Sequence, residues 1–193
     1  MNNFSRRQIM LGSGISLAAL IMSLGSTQNT SQHQINMDNK VLQQILDRLE
    51  IIDTVNRIGL MADLRDWQAC QNCFTERVNV DYTSLVGGQP ATLAAKDLVE
   101  SWRKNLSPLK ATQHMISNHA VMLNGNTATC ISHFQAHHLL PNEHGAPIWT
   151  LGGVYHHELE RTSDSWKVRK MTMTAKWAEG NQQIMTIAAQ QGK

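Results

Sequence analysis

The sequence predicts an α+β domain in which helices come first and a long, mostly antiparallel sheet follows. Two observations carry that expectation. Apolar residues recur at helical spacing early in the chain, and the second half alternates in strand fashion almost throughout, with Asn124-Gly125 marking a hairpin. A curved sheet laid over a long helix would create an enclosed cavity, the usual place for a small ligand.

The elements read as follows. From Val41 to about Asp63, Leu42, Ile45, Leu46, Leu49, Ile52, Val55 and Ile58 recur every three or four residues. Asp66 is placed to cap a second short helix whose apolar stripe is Trp67, Cys70, Cys73 and Phe74. Val78, Val80 and Tyr82 alternate with Asn79, Asp81 and Thr83, a short strand. Gly87-Gly88-Gln89-Pro90 is a loop, and Ala94 to about Leu106 reads as a third helix. Strands are expected at His114–Leu123, Thr127–Leu140, Ile148–Arg161 and Trp166–Trp177.

A chain of 193 residues holds one domain and a leader. Residues 5–11, Ser-Arg-Arg-Gln-Ile-Met-Leu, precede an apolar stretch and resemble a twin-arginine export signal. The expected organisation is a signal segment over 1–27, a flexible polar linker over 28–40, the domain over 41–187 and a tail over 188–193. Localisation is then periplasmic or exported, with membrane contact only through an uncleaved leader. Setting Arg6 and Arg7 aside leaves 15 basic against 15 acidic residues, so the domain is neutral and nothing draws in nucleic acid.

Nine histidines are the unusual feature of the composition, six of them between His114 and His144. Imidazole titrates near neutral pH, which suits proton transfer or metal binding. A metal is not expected. Adjacent residues of a strand point to opposite faces, so neither His137-His138 nor His156-His157 can chelate one ion simply. No His-Glu-x-x-His motif occurs either. Cys70, Cys73 and Cys130 read as buried core thiols, because no second cysteine pair completes a zinc site.

Three local patterns resemble the nuclear transport factor 2-like superfamily and its SnoaL-like branch. They are Asp63-x-x-Asp66-Trp67 ending in Phe74 and followed by Asp81-Tyr82; Thr112-Gln113-His114 opening a strand; and Gly152-Gly153-x-Tyr155 with Trp166-Lys167-Val168 and Trp177-x-x-Gly180-Asn181. The resemblance covers about residues 42–184 and implies a cone-shaped α+β barrel that forms dimers or trimers. The first two patterns are most similar to scytalone dehydratase, which eliminates water without a cofactor. That similarity implies catalytic roles for Asp63, His114, His138 and Tyr82, with His137 or His133 as alternatives to His138. Ala62 stands where that family has a second tyrosine, and its pocket asparagine is replaced around Gly153. The dyad therefore carries over better than the substrate. Hexachlorocyclohexane dehydrochlorinase and bile-acid dehydratase also pair a helical Asp with a strand His.

The chemistry is coherent on its own terms. A carboxylate bonded to one imidazole nitrogen fixes the ring and its tautomer, leaving the other nitrogen as a base. Tyr82 could donate to a developing enolate, and His138 could protonate a departing hydroxide. Each residue also has a plainer role. Asp63 beside Arg65 could be a solvated cap or ion-pair partner, His114 a core histidine and Tyr82 a packing residue. His138 shares a strand face with Ala128, Cys130, Ser132, Phe134 and Ala136, which places it inward. The expected function is a cofactor-free lyase acting on a small hydrophobic or aromatic hydroxylated substrate. A non-catalytic binding module, or an isomerase or hydrolase in the same pocket, is the alternative.

Overall fold

The computed structural model describes residues 17–191. The twin-arginine motif at residues 5–11 lies outside them. Among the described residues no helix is long and apolar enough to cross a membrane. The chain divides near Gln44 into two compact units, and the sheet and its cavity belong to the second.

Helix α1 (Leu17–Asp63) includes residues 28–40, expected to form a linker; that stretch is polar but holds no Gly or Pro to break a helix. Asp66 caps α2 (Trp67–Gln71) by accepting the Ala69 N–H at 2.9 Å, as its position predicts. Strand β1 (Phe74–Asp81) is followed by a short helix α3 (Thr83–Val86) and strand β2 (Ala91–Ala94). Helix α4 (Ala95–Leu106) precedes β3 (Ala111–Asn124), β4 (Thr127–Leu139), β5 (Ile148–Arg161) and β6 (Trp166–Gly180). Helix α5 (Gln183–Gln191) runs past residue 187, where the domain was expected to end, and its Ile184 and Ala188 are wholly buried.

The six strands form one open sheet in the order β2-β1-β6-β5-β4-β3. Every pairing is antiparallel except β1 with β6, which is parallel. The fold is the α+β class expected, with the nuclear transport factor 2-like arrangement of helices against a curved sheet.

Irregularities in β3 and β5 supply bends. In β3 the break falls between Ser117 and Ala120, where Asn118 takes a φ of 55°. Before it, His114 and Ile116 face inward; after it the phase shifts, and His119, Val121 and Leu123 are the better-covered positions.

Helix α1 presents Ile51, Val55, Ile58 and Ala62, spaced by four, three and four residues, to the core. Its buried face is fixed at two points about sixteen residues apart, some ~24 Å along the axis. At the first, the Asp47 carboxylate meets Arg161 and accepts the Trp166 indole N–H, while Glu50 accepts the Trp166 backbone N–H at 2.9 Å. The second is Asp63.

A close approach between β5 and β6 fixes the sheet where it covers the cavity. A Cβ on Gly153 would stand 2.1 Å from the Thr174 carbonyl oxygen and 3.0 Å from the Phe134 ring. A Cβ on Gly152 would meet the Trp177 ring, but that side chain is 46% exposed and free to swing. Gly153→Ala is therefore expected to cost about 1–3 kcal/mol in urea unfolding, and Gly152→Ala clearly less. Equal, small effects would contradict this account of the packing.

Candidate active site

The C-terminus of α1 sets the site. Arg65 adopts a left-handed φ of 63°, and the Asp66 N–H returns to the Met61 carbonyl at 2.9 Å, a helix stop of the kind usually made by glycine. Arginine is held in this conformation by three bonds from its guanidinium. It donates to the carbonyls of Ala62 and Leu106 at 2.9 and 2.8 Å and to the Thr112 hydroxyl at 2.9 Å. Thr112 in turn donates to Asp63 Oδ1 at 2.8 Å. Arg65 thus supports Asp63 through Thr112, rather than through the direct ion pair open to it from the sequence.

Asp63 accepts two further bonds from β3. The His114 backbone N–H reaches Oδ2 at 2.6 Å, and His114 Nδ1 lies 2.7 Å from Oδ1. Each side chain keeps 14% of its surface. Burial pushes the Asp63 carboxyl upward, but the bonds and charge of His114, with the Thr112 bond, outweigh it and hold it below the ordinary range. Gly59, one turn before Asp63, makes room for the pair, since a Cβ there would lie 2.9 Å from the His114 Cβ.

A cavity of about 390 Å³ lies between the helices and the inner face of the sheet. His114, His138, Tyr82, Tyr155 and His157 line it among mostly apolar side chains, and Asp63 stands behind His114. No Asp, Glu, Lys or Arg among the described residues lines it.

Three of the four expected residues therefore share the cavity wall, and the fourth is bonded to one of them. The ring centroids of His138 and His114 are 5.9 Å apart and nearly perpendicular. His138 is 5% exposed and faces inward, whereas His133 is exposed and His137, bonded to Thr150, lies on the other face. His138 Nδ1 donates to the Trp149 carbonyl at 3.4 Å, leaving Nε2 as its free lone pair. Burial, then the charge of His114, pushes its pKa down to about 4. At neutral pH it holds little of the protonated form that a proton shuttle gives up.

Tyr82 stands just beyond β1, at the start of α3. Burial raises its phenol well above the ordinary range, the neighbouring Tyr155 adds to this, and a bond with Trp102 opposes it. Both tyrosines remain hydrogen-bond donors.

Tyr155 went unassigned by residue-level reasoning although it sits in the Gly152-Gly153-x-Tyr155 pattern. Its ring stacks on Phe134 at 4.3 Å, and its phenol is raised first by burial and then by the charge of Asp63. Strand alternation from Gly153 through Tyr155 to His157 was the available signal.

All three cysteines are buried free thiols, with burial raising Cys70 to about 12 and Cys73 and Cys130 to about 11, so they are inert core residues. Among the described residues no group of three or more His, Cys, Asp or Glu is placed to hold a metal.

The buried histidines predict an acid response. His138, at about 4, and His157, which burial lowers to about 3, both titrate below the ordinary 6.5. The unfolded chain therefore binds more protons than the folded one below pH 6.5. Stability is complete above that pH and falls as pH drops towards 4 and then 3, at about 1.4 kcal/mol per pH unit for each group. Urea titrations between pH 7 and 4 should show this decline, with a shallower slope for His157→Gln. A flat profile would contradict the burial of both rings.

Comparison with known proteins agrees with this architecture. The SnoaL-like domain family matches residues 43–172. No curated protein sequence matches the chain. A solved structure from Kribbella flavida is 29% identical over 75% of this chain and 98% of that one, with a TM-score of 0.69. A protein provisionally named a scytalone dehydratase, from Novosphingobium aromaticivorans, shows 18% identity over 72% and 89% of the two chains, with a TM-score of 0.61. Hexachlorocyclohexane dehydrochlorinase LinA-type3 from Novosphingobium barchaimii shows 14% over 73% and 94%, also at 0.61. At these last two identities the likeness is one of fold. With well over half its length matched, this chain belongs to the SnoaL-like domain family.

Proposed function

We propose that the chain is a cofactor-independent lyase that eliminates water, or less readily halide, from a small neutral hydrophobic or aromatic substrate. The observation that carries the reading is the 2.7 Å contact between Asp63 and His114 Nδ1, with the other edge of the ring turned to an apolar cavity. A ligand carrier does not require a cavity histidine whose ring is oriented by a carboxylate. A base that must attack from a fixed direction does.

The steps follow from that geometry. His114 Nε2 takes a proton from the carbon next to a ketone, and Asp63 balances the imidazolium that forms. Tyr82 donates a hydrogen bond to the ketone oxygen as it gains charge, with Tyr155 placed to assist. The C–H electron pair becomes the new C=C bond as the β C–O bond breaks, and the departing hydroxide takes the proton back from His114 to leave as water. One group serving as base and then acid works on one face of the substrate, so the elimination is syn. His138, held neutral, orients the leaving hydroxyl by accepting its hydrogen bond through Nε2.

The names of the two Novosphingobium relatives describe eliminations and support the reading at the level of fold. An isomerase would use the same base and return the proton to another carbon.

Turnover of β-hydroxy ketones is the test. On a ketone that the wild type dehydrates, His114→Ala should lower kcat by about 10²–10⁴-fold, and Asp63→Asn should lower it with little change in KM. Undiminished turnover by His114→Ala would overturn the proposal.

A further inference from the structure

His157 is a buried histidine for which the proposed reaction has no use. It sits on the inward face of β5 with 2% of its surface exposed, and it lines the same cavity as His114. Neither of its ring nitrogens has a hydrogen-bond partner among the described residues, and Nδ1 is fully buried. A neutral imidazole left this way wastes one donor and one acceptor, which folded proteins rarely tolerate without a purpose.

Its position separates it from the dyad. His114 pairs with Ala136, and Ala136 with Leu151, so His157 lies six residues further along β5 than the level of the base. That is at most about 20 Å of strand, shortened by the bend in the sheet. The electrostatic neighbours of His157 are His156 and His119, whereas Asp63 acts on His138 and Tyr155. Ser132 lies beneath this end, outside the cavity lining. It is 1% exposed, its hydroxyl is unpartnered, and it sits one diagonal from His157 on β4. Between the two ends the wall is mostly apolar, with Phe134, Met171 and Met173 beside the Tyr155 phenol.

We infer that His157 is a second polar anchor, which selects an elongated, uncharged ligand bearing a hydroxyl or carbonyl at the end remote from the reacting carbon. The inference rests on the cavity being the substrate site, and it narrows the substrate class to flat molecules of about two rings with a polar group at each end. A carboxylate or ammonium is excluded at that end, because no countercharge lines the cavity and burial keeps His157 neutral.

The test is equilibrium binding, by calorimetry at pH 7.5, of biphenyl, 4-phenylphenol and 4,4'-dihydroxybiphenyl. The two-ended probe should bind the wild type about five- to tenfold more tightly than 4-phenylphenol, the worth of one buried hydrogen bond. His157→Leu should abolish that advantage while leaving biphenyl within about twofold, which also shows that the variant is folded. His157→Gln should retain part of the advantage. An equal preference in His157→Leu, no preference in the wild type, or no binding of any probe would overturn the inference. None of these outcomes bears on the base, which is judged by the turnover of His114→Ala.

Discussion

The carboxylate of Asp63 is the interaction on which both fold and site depend. It ends α1, receives the backbone N–H of His114 on β3, and holds the same residue's ring through Nδ1. A bare carboxylate at this depth would be costly, and three donors offset the cost: Thr112, the His114 backbone and the His114 ring. Arg65 completes the support by fixing Thr112 while stopping the helix. The group that joins helix to sheet is therefore the group that orients the proposed base. Removing it would loosen the joint and free the ring together.

The cavity's lack of charged lining residues is the second constraint. With no Asp, Glu, Lys or Arg among the described residues on its wall, the titratable groups that remain are three imidazoles and two phenols, and burial drives His138 and His157 towards the neutral form and both phenols away from ionisation. Such a wall can donate, accept and transfer one proton, yet it gives no foothold to ions. Enolate chemistry fits this setting, because its charge appears only during reaction and is met by pre-placed hydroxyl donors. In the proposed elimination, neutrality at His138 moves the acid step onto His114, which makes a syn course simpler than a relay between two histidines.

Much of this was legible in the sequence. The apolar spacing from Leu42 to Ile58, the Asp66 cap and the Asn124-Gly125 hairpin are local signals, and local signals survive into the fold. Asp63 and His114 were legible from motif context, and the inward placement of His138 from strand alternation. Helix α3 and strand β2 were missed because four residues are too few for periodicity to register. Helix α5 spans only nine residues, and its buried Ile184 and Ala188 are too few for a helical period to register. The bulge at Asn118 resets the inward phase of β3, and nothing in the alternation announces it. The Arg65–Thr112–Asp63 relay and the close approach at Gly59 join residues about fifty apart, which only the tertiary fold brings together.

The claim that Asp63 fixes His114 with Nε2 free towards the cavity is most directly tested by nitrogen NMR of the protein labelled with ¹⁵N in histidine, at a pH where the ring is neutral. The account predicts a protonated, pyrrole-type Nδ1 and an unprotonated, pyridine-type Nε2 for His114, with this preference lost in Asp63→Asn. A proton on Nε2 in the wild type would leave no base facing the cavity and would contradict the account.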